Sequence, residues 1–280
     1  MKTFELAIPG HIIACKTWGS PQNPPILAIH GWQDNINSFE PIAKYLQQHF
    51  HLIAIDLPGH GLSSHLPIGS HYHFIDGVFT IVQIIQALQR DKVHLLGHSL
   101  GACLASIVAG IAPQYVLSLG LIEALGPISS PEETAAQQLS RFLKNLSAPH
   151  SKEPKGYNSM EQAIHVRAAR GYVSLEIAQI LGTRGIKEKK GSYYWQHDRR
   201  LAQVSPLRMT EGQIRSCLQQ IEAKTLLLWA SEGFSFNAEL MQQRINAVPD
   251  LTVERLYGGH HIHMEQPEAV AKLLAEFYLA

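Results

Sequence analysis

The chain has 280 residues, 45% of them hydrophobic, and its 23 basic and 23 acidic side chains cancel. That length suits a single large domain carrying an insertion, with ample core, and the balanced charge disfavours binding to nucleic acid or to a bulk membrane surface. No apolar run is long enough to span a bilayer and no signal-peptide core follows Met1. The three cysteines, Cys15, Cys103 and Cys217, show neither disulfide nor zinc spacing, so a cytoplasmic protein is expected.

Phe4 to Trp18 reads as a hairpin turning at Pro9-Gly10. Short apolar runs then alternate with helical periodicity, the pattern of a mostly parallel sheet covered by helices on both faces. Strands are expected at Pro25–His30, Leu52–Asp56, Val93–Gly97 and Val116–Ile122. Helices are expected at Phe39–His49, Phe74–Gln89 and Leu100–Ala112, the last stopped by Pro113. From Gly126 to about Ser205 the chain is polar and helix-leaning, with turns around Pro149 to Lys155 and no clear strand. Strands resume at Lys224–Trp229 and Leu251–Tyr257, followed by a helix from Pro267 to Leu279. The expected organisation is a core formed by 1–125 and 206–280, with 126–205 inserted as a helical cap. This middle segment holds 12 basic and 7 acidic residues, a net of +5. A solvated basic face is the favoured reading, and attraction of acidic substrates is the alternative.

Gly97-His98-Ser99-Leu100-Gly101 lies between a buried strand and a helix, the setting of a nucleophile elbow that lifts Ser99 above the sheet edge. A serine that merely caps a surface helix is the plain alternative. His30-Gly31-Trp32 follows the strand expected beside the nucleophile strand. The backbone N–H groups of Trp32 and Leu100 would then form an oxyanion hole, with Gly31 permitting close approach to substrate and His30 bracing the loop. An ordinary turn capped by Asn35 or Ser38 is the alternative there. Asp56 to Ser64 reads as a glycine-rich structural loop under the site.

His-Gly-Trp at 30–32, Asp-Leu-Pro-Gly-His-Gly at 56–61 and Gly-His-Ser-Leu-Gly at 97–101 together resemble the α/β-hydrolase superfamily across nearly the whole chain. Four further features resemble the serine hydrolase-like proteins within it: His30 to Asn35, Gly182-Thr183-Arg184-Gly185, the group Trp195/Asp198/Arg199/Leu201, and Gly259 to Met264. The resemblance implies an α/β-hydrolase fold and a Ser-His-acid triad. Among the clustered His260, His261 and His263, the superfamily's spacing to Glu265-Gln266-Pro267 selects His260 as the base. A three-histidine metal site is the alternative, weakened because no carboxylate is spaced in sequence to join it. The usual position of the acid, four residues beyond Trp229, is Gly233. Two replacements remain: Glu123, at the end of Leu121-Ile122, where several branches of the superfamily place their acid, and Glu232. Glu123 is favoured, with pairing to a cap arginine as its structural alternative, because a one-residue shift on an extended segment turns the Glu232 side chain to the other side.

The mechanism implied is acyl transfer through Ser99 without a cofactor, and no dinucleotide or phosphate-loop fingerprint is present. A small or medium hydrophobic carboxylic ester is the leading substrate class. A thioester, a C–C bond, or a ligand held by a vestigial enzyme would use the same groups. Trp32, Phe39, Tyr193, Tyr194 and Trp195 are candidate pocket-lining residues. Monomer and homodimer are both open.

Overall fold

The computed structural model describes residues 1–147, 156–170, 173–203 and 205–280; the turns expected around Pro149 to Lys155 lie outside them. In chain order the elements are β1 (Lys2–Ile8), β2 (His11–Trp18), β3 (Pro25–Ile29), α1 (Glu40–Leu46), β4 (His51–Ile55), α2 (Phe74–Ala87), β5 (Val93–His98), α3 (Leu100–Ile111) and β6 (Val116–Ile122). Then follow α4 (Ala135–Ser147), α5 (Met160–Ala169), α6 (Leu175–Gly185), β7 (Ile186–Lys189), β8 (Ser192–Trp195) and α7 (Glu211–Leu218). The chain closes with β9 (Lys224–Glu232), α8 (Ala238–Ile245), β10 (Leu251–Gly259), α9 (Ile262–Glu265) and α10 (Pro267–Leu279).

The main sheet has eight strands in the order β1-β2-β4-β3-β5-β6-β9-β10. The N-terminal hairpin pairs antiparallel with β4, and all later neighbours are parallel. Successive strand residues face opposite sides of a sheet, and here the two sides feed two separate cores. Leu27, Ile29, Ile53, Ile55 and Leu95 join a cluster with Val78 and Ile81 of α2, Leu104 and Val108 of α3, and Ile214 of α7. Ile26, Ala28, Leu52, Ala54 and Leu96 join the opposite cluster with Ile42 and Leu46 of α1 and Val270 and Leu274 of α10. The central strands β3 and β4 therefore read as unbroken apolar runs because both faces are buried, whereas the edge strand β10 alternates.

Strand order reverses beside β3: β4 follows on one side and β5 on the other, so a crevice opens at the carboxyl ends of β3 and β5. Ile29 is registered with Gly97, His98 with Ile122, and Ile122 with Leu228. These registers bring the residues after Ile29, His98 and Ile122 to one edge of the sheet.

Two features differ from the expectation. The helix expected from Phe39 starts as a 3₁₀ turn at Ile36–Phe39, with the Asn35 side chain accepting from the Asn37 N–H, and its α-helical part ends at Leu46. The middle segment also carries a hairpin, β7–β8, with Ile186 opposite Trp195. Lys187, Glu188, Lys189 and Lys190 gave that stretch its polar look; its exposed strand has no apolar face to reveal itself in sequence.

The middle segment is tied to the loops after β3 and β4 by polar contacts that range from exposed to buried. Asn35 donates to the Leu181 carbonyl (2.9 Å) and Asn37 to Thr183 Oγ1 (2.9 Å). The Trp32 indole donates to the Leu201 carbonyl (3.1 Å) and the Asp198 N–H to the Gly59 carbonyl (2.7 Å). Arg200 reaches both Asp198 and the carbonyls of Leu66, Pro67 and Ser70. Asp56, fully buried, accepts from the Ile36 and Leu62 N–H groups (both 2.8 Å) and from Arg184 (2.8 Å). Substituting Asp56 by Ala strands two backbone donors and a guanidinium, and is expected to cost about 3–5 kcal/mol. Urea unfolding of Asp56→Ala beside wild type checks this; a loss below about 1 kcal/mol would contradict the assignment of Asp56 as the anchor.

Candidate active site

Ser99 stands between β5 and α3 with φ 50° and ψ −113°, a strained conformation for a residue bearing a side chain. Such strain costs roughly 1–3 kcal/mol and persists only where the surroundings enforce it. Here the Ser99 N–H donates to the Ile122 carbonyl (2.9 Å), holding the turn to β6. Close packing does the rest: a Cβ on Gly97 would fall 2.5 Å from the backbone of Ala102, and one on Gly101 would fall 1.9 Å from the Ile29 carbonyl oxygen. The two glycines let helix α3 descend onto the sheet, which leaves the Ser99 hydroxyl partly exposed above it.

His260 ends the segment after β10 and brings Nε2 to 2.9 Å from Ser99 Oγ and Nδ1 to 3.1 Å from Glu123 Oε2. A carboxylate only accepts, so the imidazole proton belongs on Nδ1 and Nε2 is left to accept from the serine hydroxyl. Glu123 is wholly buried and has φ 62°. Its carboxylate also accepts from the N–H of Ala230 (2.6 Å) and of Phe234 (3.1 Å). Three donors thus compensate a buried charge that would otherwise be costly. Its partner is His260 and not an arginine from the middle segment.

Gly233 leaves room for the Glu123 carboxylate. A Cβ there would lie 1.9 Å from Glu123 Oε2, so the Glu123 carboxylate occupies the volume that a side chain at 233 would fill. The longer glutamate, launched from β6, reaches the same point in space as an acid launched from the loop after β9. Glu232 is exposed, lying in the ladder opposite Gly259.

A second carboxylate, Asp34, was not singled out as a site residue. It is buried two residues beyond Trp32 and accepts from Arg167 (2.9 Å) and His261 Nε2 (2.9 Å), with His98 Nδ1 at 3.6 Å. His98 in turn donates from Nε2 to the His260 carbonyl (2.9 Å). One carboxylate therefore meets the residue before Ser99, the residue after His260 and a side chain of α5. Gly31 serves this cluster, since a Cβ there would lie 2.9 Å from both Asp34 Oδ2 and His98 Nδ1. His30 braces the neighbouring loop as expected, accepting from the Leu57 N–H (3.0 Å). The signal for Asp34 lay in its place in His30 to Asn35, but its partners come from residues 98, 167 and 261.

The histidines do not converge as a trio. His260 faces Ser99 and Glu123, His261 faces Asp34, and His263 is buried against Phe39 with neither ring nitrogen hydrogen-bonded. A carboxylate does join one of them, contrary to the sequence spacing, because Asp34 approaches through space. Asp34, His98 and His261 place their donor atoms within 4.8 Å of one another. Arg167 already supplies the positive charge that Asp34 needs, so a divalent cation would sit beside a second cation in a buried site.

These groups open into a cavity of about 970 Å³ whose lining includes Trp32, Ser99, Leu100, His260 and Trp195. Phe39 is instead fully buried core, and Tyr193 and Tyr194 are not in the lining. Leu100 opens α3, so its N–H is among those the helix leaves without an intrahelical partner. Cys103 also lines the cavity, but burial pushes its thiol up to about 12, which leaves essentially no reactive thiolate there.

Burial raises the Asp34 carboxyl, but His261, His98 and Arg167 outweigh it and hold the group well below the usual carboxylate range. Its folded pKa is thus depressed, so its stabilising contribution is complete above the unfolded value near ~4 and is lost as pH falls through the folded value. Asp34→Asn is expected to lose less stability than wild type between about pH 6 and pH 3, read from urea midpoints; identical acid limbs would refute it.

The alpha/beta hydrolase fold family matches residues 24–267. A Drosophila melanogaster protein named "Probable serine hydrolase" is 34% identical over 98% of this chain and 86% of its own length. The crystal structure of the hypothetical protein PA1622 from Pseudomonas aeruginosa PAO1 covers 100% of both chains at 31% identity and a TM-score of 0.94. A thioesterase domain from the curacin biosynthetic pathway covers 98% of this chain and 99% of its own at 28% identity and a TM-score of 0.87. With its parallel sheet, its strained serine turn and these relatives, the chain belongs to the α/β-hydrolase fold family and is similar to its serine hydrolase-like members.

Proposed function

We infer that this protein is a serine hydrolase cleaving a carboxylic ester through an acyl-enzyme. The observation that carries this reading is the Ser99–His260–Glu123 line, 2.9 Å and 3.1 Å, opening on the cavity. In the first half-reaction His260 Nε2 takes the Ser99 proton as Oγ attacks the carbonyl carbon. Glu123 holds the tautomer and stabilises the imidazolium through Nδ1–H. Backbone N–H groups of Trp32 and Leu100 receive the oxyanion. His260 then returns the proton to the departing alcohol, and water deacylates the serine by the same route. Residues 126–205 act as a cap that roofs the site and selects the substrate, a role supported by Arg167, Trp195 and His197 lining the cavity opposite Ser99. Thioester hydrolysis is the second reading, favoured by the similarity to a thioesterase domain. A panel of matched oxygen and thiol esters separates the two.

A fluorophosphonate probe should label wild type and not Ser99→Ala, whose kcat on p-nitrophenyl esters should fall about 10⁴-fold or more. An unlabelled wild type would sink the hydrolase reading. Glu123→Gln should lower kcat by about 10²- to 10⁴-fold while Glu232→Gln stays near wild type; the reverse order would transfer the acid to Glu232. Because Gly233 and Glu123 share one volume, Glu123→Gly combined with Gly233→Asp should recover at least about tenfold of the kcat lost in Glu123→Gly alone. No recovery in a folded double variant would show that the two positions are not interchangeable.

A further inference from the structure

We propose that the cavity takes an amphiphilic substrate, an apolar chain with an anionic oxyacid group at the end remote from the scissile carbonyl, held by Arg170 and Arg208 at the cavity mouth. This rests on the hydrolase reading above and names its substrate class.

The cavity lining contains Arg167, Arg170 and Arg208 but a single carboxylate, Asp34. Arg167 is consumed by Asp34 at 2.9 Å. Arg170, the C-cap residue of α5, and Arg208, in the segment leading to α7, have no ion-pair partner among the described residues. The two arginines come from separate parts of the chain and line one cavity. His197, also in the lining, is pushed down to about 4 by burial and by Arg167, so it stays neutral near pH 7 and offers no counter-charge. The remaining walls are apolar, among them Phe74, Ile128, Val173, Trp195, Phe234 and Phe236.

The cap's basic residues therefore differ in placement, and Arg208, just beyond the cap, adds to those at the cavity. Lys187, Lys189 and Lys190 sit exposed on the β7–β8 hairpin and do not line the cavity, as a solvated face would have it. Arg170 and Arg208 do line it, and no ion pair among the described residues compensates their charge. A ligand with an apolar chain fills the greasy walls, and its terminal carboxylate or phosphate accepts from the planar guanidinium forks. Both arginines are exposed, so the head group sits in partly aqueous surroundings and the attraction is screened by salt.

Binding to Ser99→Ala protein isolates recognition from turnover. Calorimetry would compare monomethyl suberate with dimethyl suberate, and octyl phosphate with octanol. The anionic member of at least one pair is expected to bind about tenfold tighter, with the advantage shrinking in about 0.5 M NaCl. Within that pair the advantage should fall to about twofold or less when Arg170→Gln and Arg208→Gln are combined, and partly in each single variant. Lys189→Gln should keep it. The two pairs tell a carboxylate from a phosphate head group. Equal or tighter binding of both neutral members, or an advantage that survives the double variant, would overturn the proposal. Failure of the fluorophosphonate to label wild type would instead strike the hydrolase reading, and it leaves this binding comparison intact.

Discussion

A carboxylate that is fully buried must find its compensation from the protein, and Glu123 finds it in two backbone N–H groups and the His260 ring. Each of those donors comes from a different part of the chain from the glutamate itself. Ala230 belongs to β9, Phe234 to the loop after it, and His260 to the segment after β10. The requirement to satisfy one charge thus fixes the relative placement of the last third of the chain against β6. It also fixes the orientation of the imidazole that meets Ser99, since the ring has one nitrogen for the carboxylate and one for the hydroxyl. Gly233 is part of the same constraint, because any side chain there would compete with the carboxylate for its space.

Buried acids repeat this logic at the junction with the middle segment. Asp34 and Asp56 stand at or after the ends of β3 and β4, and each takes an arginine from that segment, Arg167 and Arg184. A buried ion pair is poor evidence of net stability, because desolvation offsets much of the attraction. Its effect is geometric: an alternative placement of α5 or α6 would leave a charge in the interior without a partner. The residues from Gly182 to Gly185 and from Trp195 to Leu201 acquire a common purpose here. Arg184 pairs with Asp56, Asp198 bonds Tyr72 and the Gly59 backbone, and the Leu201 carbonyl receives Trp32. They are the seams between the two parts of the chain.

Through Asp34 the seam also touches the chemistry. His98 precedes Ser99, His261 follows His260, and both face the carboxylate that Arg167 holds from α5. The placement of α5 is therefore tied through Asp34 to the residues beside Ser99 and His260. Arg170, one turn further along and with no acidic partner among the described residues, lines the cavity with Arg208. Two arginines on adjacent turns are thus put to different uses by whether a buried carboxylate lies within reach.

Strands and most helices were legible because burial on both faces or on one stripe leaves a local periodic trace: Val116–Ile122 and Pro267–Leu279 have the bounds that their apolar patterns indicate. Ser99 was legible for a related reason, as its turn needs small neighbours at fixed offsets. The β7–β8 hairpin was not, since an exposed strand rich in Lys and Glu carries no alternation. The acid could be narrowed by sequence to Glu123 or Glu232, but the distinction rests on which side chain reaches His260 through space. The Asp34 cluster was beyond reach for the same reason: residues 34, 98, 167 and 261 meet only after the sheet has brought the ends of β3 and β5 together and α5 has been laid over them. The sequence alone determined the layered architecture and the serine turn, both written in short-range patterns. Which carboxylate meets His260, what ties the middle segment to the sheet and which arginines pair with buried acids were decided by tertiary structure, because the compensation of a buried charge depends on distances between segments that no local pattern records.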